Sequence, residues 1–315
     1  MKKLISVVIP AYNEEEVLEE LKKRLQTMMA ANVNYNFEII IVENGSIDHT
    51  HAGLVKINKE DSRFKVIRLS RNFGCDGGIA AGLSYAKGDA AVIMNADLQD
   101  PPELISQFIK KWEEGYEIVY GIIKKREGVT FIRTVMSSMF YKIINKLTND
   151  TIPENVSDFR LVDRKVYSVV TKMEERNKFL RGMIAWTGFN QTGIPFERPP
   201  RFAGTSKGAF MPTFQVALNG IFSFSYFPLK IATMLGFLVS FGSFLLAFIE
   251  FVLWLRFGST VQGFTTTILI ILFLFGTLFL LIGIMGEYIA RIYDEVKGRP
   301  NWIVASDIGF DSGMD

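Results

Sequence analysis

Residues 90–103 read Ala90-Ala91-Val92-Ile93-Met94-Asn95-Ala96-Asp97-Leu98-Gln99-Asp100-Pro101-Pro102-Glu103, an apolar run that stops abruptly in amide and carboxylate side chains. Bounded by Gly88-Asp89 before it and two prolines after it, the run reads as a buried strand of a parallel sheet. Ligands of open α/β sheets sit outside the carboxyl ends of such strands. Asp97, Gln99 and Asp100 are therefore delivered to the place where a site is expected, and their oxygens suit a hard divalent cation, Mg2+ or Mn2+. Asp100 also has a simpler role. With Pro101 at the first helical position and Glu103 at the third, it makes a capping box, which contracts the metal assignment to Asp97 and Gln99.

Toward the amino terminus the same scheme recurs. Leu4 to Pro10 is a β-rich strand followed by A-Y-N-E-E-E and a helical pattern through Leu18, Leu21 and Leu25, with Asn13 placed as N-cap and Glu16 completing a capping box. Phe37 to Val42 is a second strand, after which E-N-G-S-I-D-H-T turns into a helix reaching about Glu60. Gly45 permits the tight turn there, and Ser46 or Asp48 can cap the helix. A third strand, Phe64 to Leu69, leads into S-R-N-F-G-C-D-G-G-I-A-A-G and a helix from Ile79 to Ala86. The glycines of that segment, Gly78 among them, suit phosphate or sugar contact and close packing of helix on sheet equally well. Strand, turn and helix alternate without a sequence repeat, so the expected fold is a Rossmann-like α/β layer.

Beyond residue 103 the pattern gives an amphipathic helix, Glu103 to Glu114, a strand, Tyr116 to Gly121, and a basic K-K-R-E-G loop. A helix from Phe131 to Leu147 then carries Arg133, Ser137 and Ser138, either as a solvated face or as a holder of phosphate. Val156 to Asp163 is a further strand. Asp163 fits the N-cap of a helix from Arg164 to Met173, whereas Asp158 has no such local role and is the candidate general base. The segment P-F-E-R-P-P-R-F-A-G-T-S-K-G holds Arg198, Arg201 and Lys207 in a stretch too interrupted for a regular helix.

Hydrophobic residues make up 49% of the chain, with 27 Phe, yet its charges are concentrated before Lys230 and after Gly286. Ile231 to Ile249 is uncharged, and so is Phe257 to Gly286; each is long enough to cross a bilayer core, which takes about 20 apolar residues. The expected organisation is a cytoplasmic catalytic domain over 1–209, interfacial amphipathic helices over 210–229, two transmembrane helices at about 231–254 and 264–289, and a cytoplasmic tail over 291–315. Lys230, Arg291, Lys297 and Arg299 flank the spans on one side and Arg256 alone lies between them, so the positive-inside rule places both termini of a multi-pass cell-membrane protein in the cytoplasm. Leu4 to Ile9 is too short for a signal-peptide core. The single cysteine, Cys75, agrees with a reducing compartment. A formal net charge of +2 gives no sign of a nucleic-acid partner. Gly236, Gly242, Gly276 and Gly283 would let spans associate, and a homo-oligomer is expected.

Taken together, S-V-V-I-P-A-Y-N-E, E-N-G-S-I-D-H-T, N-A-D-L-Q-D-P-P-E, S-D-F-R-L-V-D-R, R-P-P-R-F-A-G-T-S-K and G-E-Y-I-A-R-I-Y-D-E-V-K-G-R-P resemble, in order, the GT-A-fold glycosyltransferases of family 2. The likeness is strongest to the membrane-anchored polyprenyl-phosphate glycosyltransferases, relatives of dolichol-phosphate mannose synthase. It implies inverting transfer of a hexose, glucose from UDP-glucose first among them, to undecaprenyl phosphate or a similar lipid. It also implies that Pro10, Tyr12, Glu14, Glu43, Gly45, Asp48, Gly78 and Asn95 line the donor site, and that Asp97 and Gln99 meet a metal bridging the donor diphosphate. Asp158 would take the proton from the acceptor as it attacks the anomeric carbon, Arg201 and Lys207 would hold diphosphate or acceptor phosphate, and Arg126, Arg133 and Ser137 would receive the lipid phosphate. The chain departs from the family at Glu43-Asn44, where Asp-Asp is usual, and at Asn95, where aspartate is usual. A processive polysaccharide synthase is disfavoured because Q-x-x-R-W is absent, and a non-catalytic nucleotide-sugar-binding scaffold is the reading from another class.

Overall fold

A computed structural model of the chain describes residues 2–124, 156–176, 178–200, 202, 227–257 and 263–310. It divides into two units, residues 1–220 with 300–315 and residues 221–299. Among the described residues the first is built on a mixed eight-stranded sheet: β1 (Leu4–Ala11), β2 (Asn36–Glu43), β3 (Phe64–Leu69), β4 (Ala90–Ile93), β5 (Ile118–Ile123), β6 (Val156–Asp163), β7 (Gln191–Phe196) and β8 (Val304–Ile308), in the order β7-β5-β6-β4-β1-β2-β3-β8. Its helices are α1 (Leu18–Ala31), α2 (Thr50–Glu60), α3 (Gly74–Tyr85), α4 (Ile105–Glu113), α5 (Arg164–Val170) and α6 (Leu180–Trp186). The α/β, Rossmann-like expectation holds for this unit.

The opening stretch is β4, and all four of its residues are buried. Burying such Val and Ile side chains is worth roughly 1.5–3 kcal/mol each, so this strand cannot leave the centre of the sheet. The expectation of a purely parallel neighbourhood needs correction. β4 runs parallel to β1 but antiparallel to β6, with Ile93 opposite Arg160. The reversal has a consequence for chemistry: the first residues of β6 lie beside the last residues of β4, so Asp158 arrives at the same sheet edge as Asn95 to Asp100. Phe159, fully buried between Phe108 and Phe196 with ring centroids at 4.7 and 6.1 Å, anchors that end of β6.

Two expected caps are also corrected. Helix α1 begins at Leu18 with no side-chain cap, because Asn13 sits at φ +53° and spends its side chain elsewhere. Asp100 does not cap the 3-10 turn Pro102–Leu104 that precedes α4; it is fully buried and bonded to Asn95 instead, while Glu103 pairs with Arg24. Asp163, by contrast, caps α5 as expected, accepting from the Lys165 amide at 2.9 Å.

The second unit contains α7 (Phe227–Phe257) and α8 (Phe264–Val296). Among the described residues, Phe273–Val296 is the one segment long and apolar enough to cross a membrane, and Ile231–Leu246 is a shorter apolar stretch. Within this pair Gly236 lies 3.4 Å from Leu281, measured from a Cβ built on the glycine, whereas Gly242, Gly276 and Gly283 have nothing within 4 Å. The chain then returns to the first unit. Residues assigned to a tail supply β8, antiparallel to β3, with Trp302, Val304 and Phe310 packed on the buried residues of β2 and β3. The interfacial helices expected over 210–229 and the helix expected over 131–147 lie outside the described residues, apart from the start of α7.

Candidate active site

The carboxyl ends of β1, β2 and β4 hold the residues singled out in the sequence, and two loops are sewn together there. The Asn13 amide donates to Ser46 Oγ at 3.0 Å, Asn13 Oδ1 accepts from the Ile47 amide at 2.9 Å, and the Glu14 amide donates to Thr50 Oγ1 at 2.8 Å. Asp48 accepts from the amides of Thr50 and Glu15. Burial pushes the Asp48 carboxyl up, but the hydrogen bonds from Thr50 and Glu15 outweigh that and hold it below the usual range. Gly45 has φ +72°, and a Cβ there would meet Arg71 backbone carbon at 2.5 Å, so the turn after β2 can close on the loop after β3 only with glycine.

Glu43 and Asn44, the departures from the family pattern, are both buried. Glu43 Oε1 accepts from the Ser46 amide, and its Oε2 lies 3.1 Å from Arg68 Nε. Asn44 bridges to the start of α3, donating to Gly74 O at 2.8 Å and accepting from the Phe73 amide at 2.9 Å. Gly78 has a packing reason: a Cβ there would lie 3.2 Å from Pro10 Cβ and 3.4 Å from Asn44 Nδ2. These residues shape the floor of the site.

The acidic group sits next to them. Asp97 accepts from the Gln99 amide at 3.2 Å, closing a tight turn whose middle residue, Leu98, is buried at φ +57°. A left-handed leucine is strained, and strain of this kind is held by surrounding packing at functional positions. Gln99 Nε2 donates to Pro199 O at 3.3 Å, which orients its carboxamide. Asn95 donates to Asp100 Oδ2 from both its amide, at 3.0 Å, and its Nδ2, at 2.9 Å, while Cys75 Sγ lies 3.8 Å from Asn95 Oδ1. Asp100 also meets Ser157 Oγ at 3.4 Å and Arg198 Nη2 at 3.6 Å. Burial pushes the Asp100 carboxyl up to about 6, with Arg198 and the Asn95 amide opposing the rise.

Asp158 completes the cluster from β6. Arg181, on α6, donates to its Oδ1 from Nε at 3.0 Å and from Nη2 at 2.7 Å. Arg160 turns its own donors to the carbonyls of Ser157 and Asp158 at 2.9 and 3.3 Å. Burial alone would push the Asp158 carboxyl up; Arg181, Arg160 and Arg198 more than offset it and hold it below the usual carboxylate range. Asp76, in the first turn of α3, is pushed up to about 7 by burial and then by the Asp158 charge. The site thus presents one firmly ionised carboxylate beside two that hold their protons more tightly, a division of the sort that acid–base and charge-stabilising sites share.

For a divalent ion the candidate donors from the sequence are Asp97 and Gln99, both of which offer hard oxygen ligands. Among the described residues no group of three or more His, Cys, Asp or Glu side chains is placed to hold a metal by itself. Two protein oxygens fit an ion of the Mg2+ type, which is bound by one or two carboxylates and completes its shell with substrate phosphate and water. Arg181, Ser157 and Asp76 were not singled out from the sequence; each is recruited by a long-range contact that has no local signature. Arg201, Lys207, Arg126, Arg133 and Ser137 lie outside the described residues.

Comparison with known proteins agrees with this geometry. A protein of Synechocystis named as an uncharacterized glycosyltransferase is 42% identical over 303 residues, covering 96% of this chain and 94% of that one. An uncharacterized glycosyltransferase of Bacillus subtilis is 42% identical over 98% of this chain and 95% of its own length. The prophage-derived bactoprenol glucosyl transferase of Shigella flexneri is 37% identical over 95% and 97%. Residues 6–171, which contain the sheet edge with Glu43, Asp97 and Asp158, match the family described as glycosyl transferase family 2, and the chain belongs to that family.

Proposed function

We propose that the chain is a polyprenyl-phosphate hexosyltransferase that moves glucose from UDP-glucose to a lipid phosphate of the bactoprenol kind, on the cytoplasmic face of the cell membrane. The observation that carries this reading is the convergence at one sheet edge of a metal-type pair, Asp97 and Gln99, with an ionised carboxylate, Asp158, that has no capping role. The full-length likeness to proteins named as bactoprenol glucosyl transferases supports the choice of sugar and acceptor.

Breaking the bond between sugar and nucleoside diphosphate builds negative charge on the leaving oxygen. A divalent ion held at Asp97 and Gln99 would neutralise that charge as it develops. The loops stitched by Asn13, Ser46 and Asp48 form the floor on which the nucleotide rests. Asp158 stands on the acceptor side, and because a lipid phosphate is already ionised near neutrality, its work is to orient the acceptor more than to remove a proton. A single displacement with no covalent intermediate inverts the anomeric centre.

Two membrane crossings are the second part of the reading. β8 follows α8 yet pairs with β3, which precedes α7. Strands of one sheet cannot lie on opposite sides of a bilayer, so this pairing supports a return of the chain to the side it left. In this reading Phe273–Val296 would make one crossing and the apolar stretch of α7 the other.

The test is to incubate purified chain with Mg2+, polyprenyl phosphate and a panel of nucleotide sugars. A lipid-linked hexose of inverted configuration is expected, with UDP-glucose the best donor. Transfer into long water-soluble chains would favour a processive synthase, and no transfer from any donor would leave a binding scaffold.

A further inference from the structure

Three arginines reach the neighbourhood of Asp158, each on a different partner. Arg198 stands with Asp100 at 3.6 Å, Arg160 spends its guanidinium on two backbone carbonyls, and Arg181 bonds the Asp158 carboxylate. Asp76 and Cys75 face the same carboxylate from α3, and Asp100 faces it from the loop after β4. Arg181 is held in place from behind. Leu180, Met183 and Ile184 are buried and hold α6 in place. The Arg181 side chain is 19% exposed, and that of Asp158 is 37% exposed. The pair therefore lies toward the rim of the cluster, with the Asp158 carboxylate partly exposed. Both of these bonds end on Oδ1 of the carboxylate.

A bare carboxylate at this place would repel the substrate. The acceptor of the proposed reaction carries a phosphate, and like charges brought together in a site of low dielectric oppose each other strongly. We propose that Arg181 is a positioning residue of the transfer reaction: it fixes the Asp158 carboxylate by its bonds to Oδ1 and presents an anionic acceptor with an ion pair in place of an isolated negative charge. This deepens the functional reading above and rests on the acceptor-side place given there to Asp158. The planar guanidinium matters as well as its charge, because two donors set the carboxylate's direction where a single ammonium would set only its distance.

The experiment compares full-length wild type with R181Q, R181K, D158N and the R181Q/D158N double variant. R181Q is expected to lower kcat/KM for polyprenyl phosphate on the order of 100-fold, with the KM for UDP-glucose unchanged. Ionised Asp158 is the active form, so activity falls as pH drops through its pKa. Without Arg181 the effect of burial prevails, and the acid limb of the pH profile moves to higher pH. R181K keeps the wild-type acid limb with partial activity. On a D158N background R181Q costs little more, since the two act as a unit. UDP binding measured on each variant checks the fold, and R181K carries the comparison if R181Q does not fold. An unshifted acid limb, or losses that simply multiply in the double variant, would overturn the proposal. If wild type transfers no sugar to lipid phosphate, the functional reading fails by itself. The inference is then read from a 13C-carboxyl titration of Asp158, assigned with D158N: its pKa rises in R181Q if the ion pair holds it, and an unmoved value refutes the claim.

Discussion

The two ends of the central sheet both bury carboxylates, and they treat them differently. At the amino end Glu38 is almost wholly enclosed, but each oxygen is served: Oε1 accepts from Ser6 Oγ at 2.6 Å and the Lys87 amide at 2.8 Å, and Oε2 pairs with Lys65 Nζ at 2.7 Å. Ser6 Oγ in turn accepts from the Gly88 amide at 2.8 Å, so the network is closed and has nothing left to offer a ligand. At the carboxyl end Asp76, Asp97, Asp100 and Asp158 crowd one region, and the charges of Asp97 and Asp158 help push Asp100 up. A fold tolerates such crowding where a cation or an anionic substrate's partners complete it. Satisfied burial builds the sheet; crowded burial marks the place where chemistry is done.

This contrast can be broken by substitution. D158N should have the largest effect, lowering kcat by about 100- to 10,000-fold as expected for a positioned acid–base or orienting group, with UDP affinity retained in a calorimetric titration. At the other end E38Q should leave kcat unchanged and lower the unfolding free energy by about 1–3 kcal/mol, seen as a lower denaturant midpoint at constant slope. Equal effects of the two substitutions on activity would erase the distinction between the edges.

Smaller effects sharpen it. N95D replaces the donor that faces Asp100 Oδ2 at 2.9 Å with a second carboxylate, at a cost of roughly 1–3 kcal/mol without metal. Mn2+ should restore that loss, so the melting temperature of N95D should respond to Mn2+ more than that of wild type; equal responses would place the ion elsewhere. Asp76, raised to about 7 from 3.8, binds its proton more tightly folded than unfolded. Its contribution therefore falls as pH rises from about 4 to 7, and D76N should flatten that decline, on the order of 1–3 kcal/mol after allowance for partial solvation. A decline as steep in D76N as in wild type would assign it to other groups.

Much of the frame was legible because it rests on local pattern. β3 and β6 occupy the residues that alternation and β-branched content predict, and Asp163 caps the helix it precedes. What escaped depends on distant partners. D-P-P-E has the form of a capping box, but Asn95 and Ser157 capture Asp100 from other parts of the chain, and no local rule anticipates them. Asn13 was taken from its helix in the same way by Ser46 and Ile47. β8, V-A-S-D-I, is a short edge strand without an apolar run, so nothing in its own residues distinguishes it from a tail. The antiparallel direction of β6 was equally hidden, although that reversal is what brings Asp158 to the metal-type pair.

The most direct measurement supplies labelled UDP-glucose and Mg2+ to membranes holding equal amounts of wild type, D158N or E38Q, then extracts lipid-linked label into organic solvent. Wild type and E38Q should both transfer label to the lipid phase, and D158N should transfer little or none. Label that stays water-soluble with wild type, or that reaches the lipid equally well with D158N, would contradict a lipid-phosphate transfer site at the carboxyl edge.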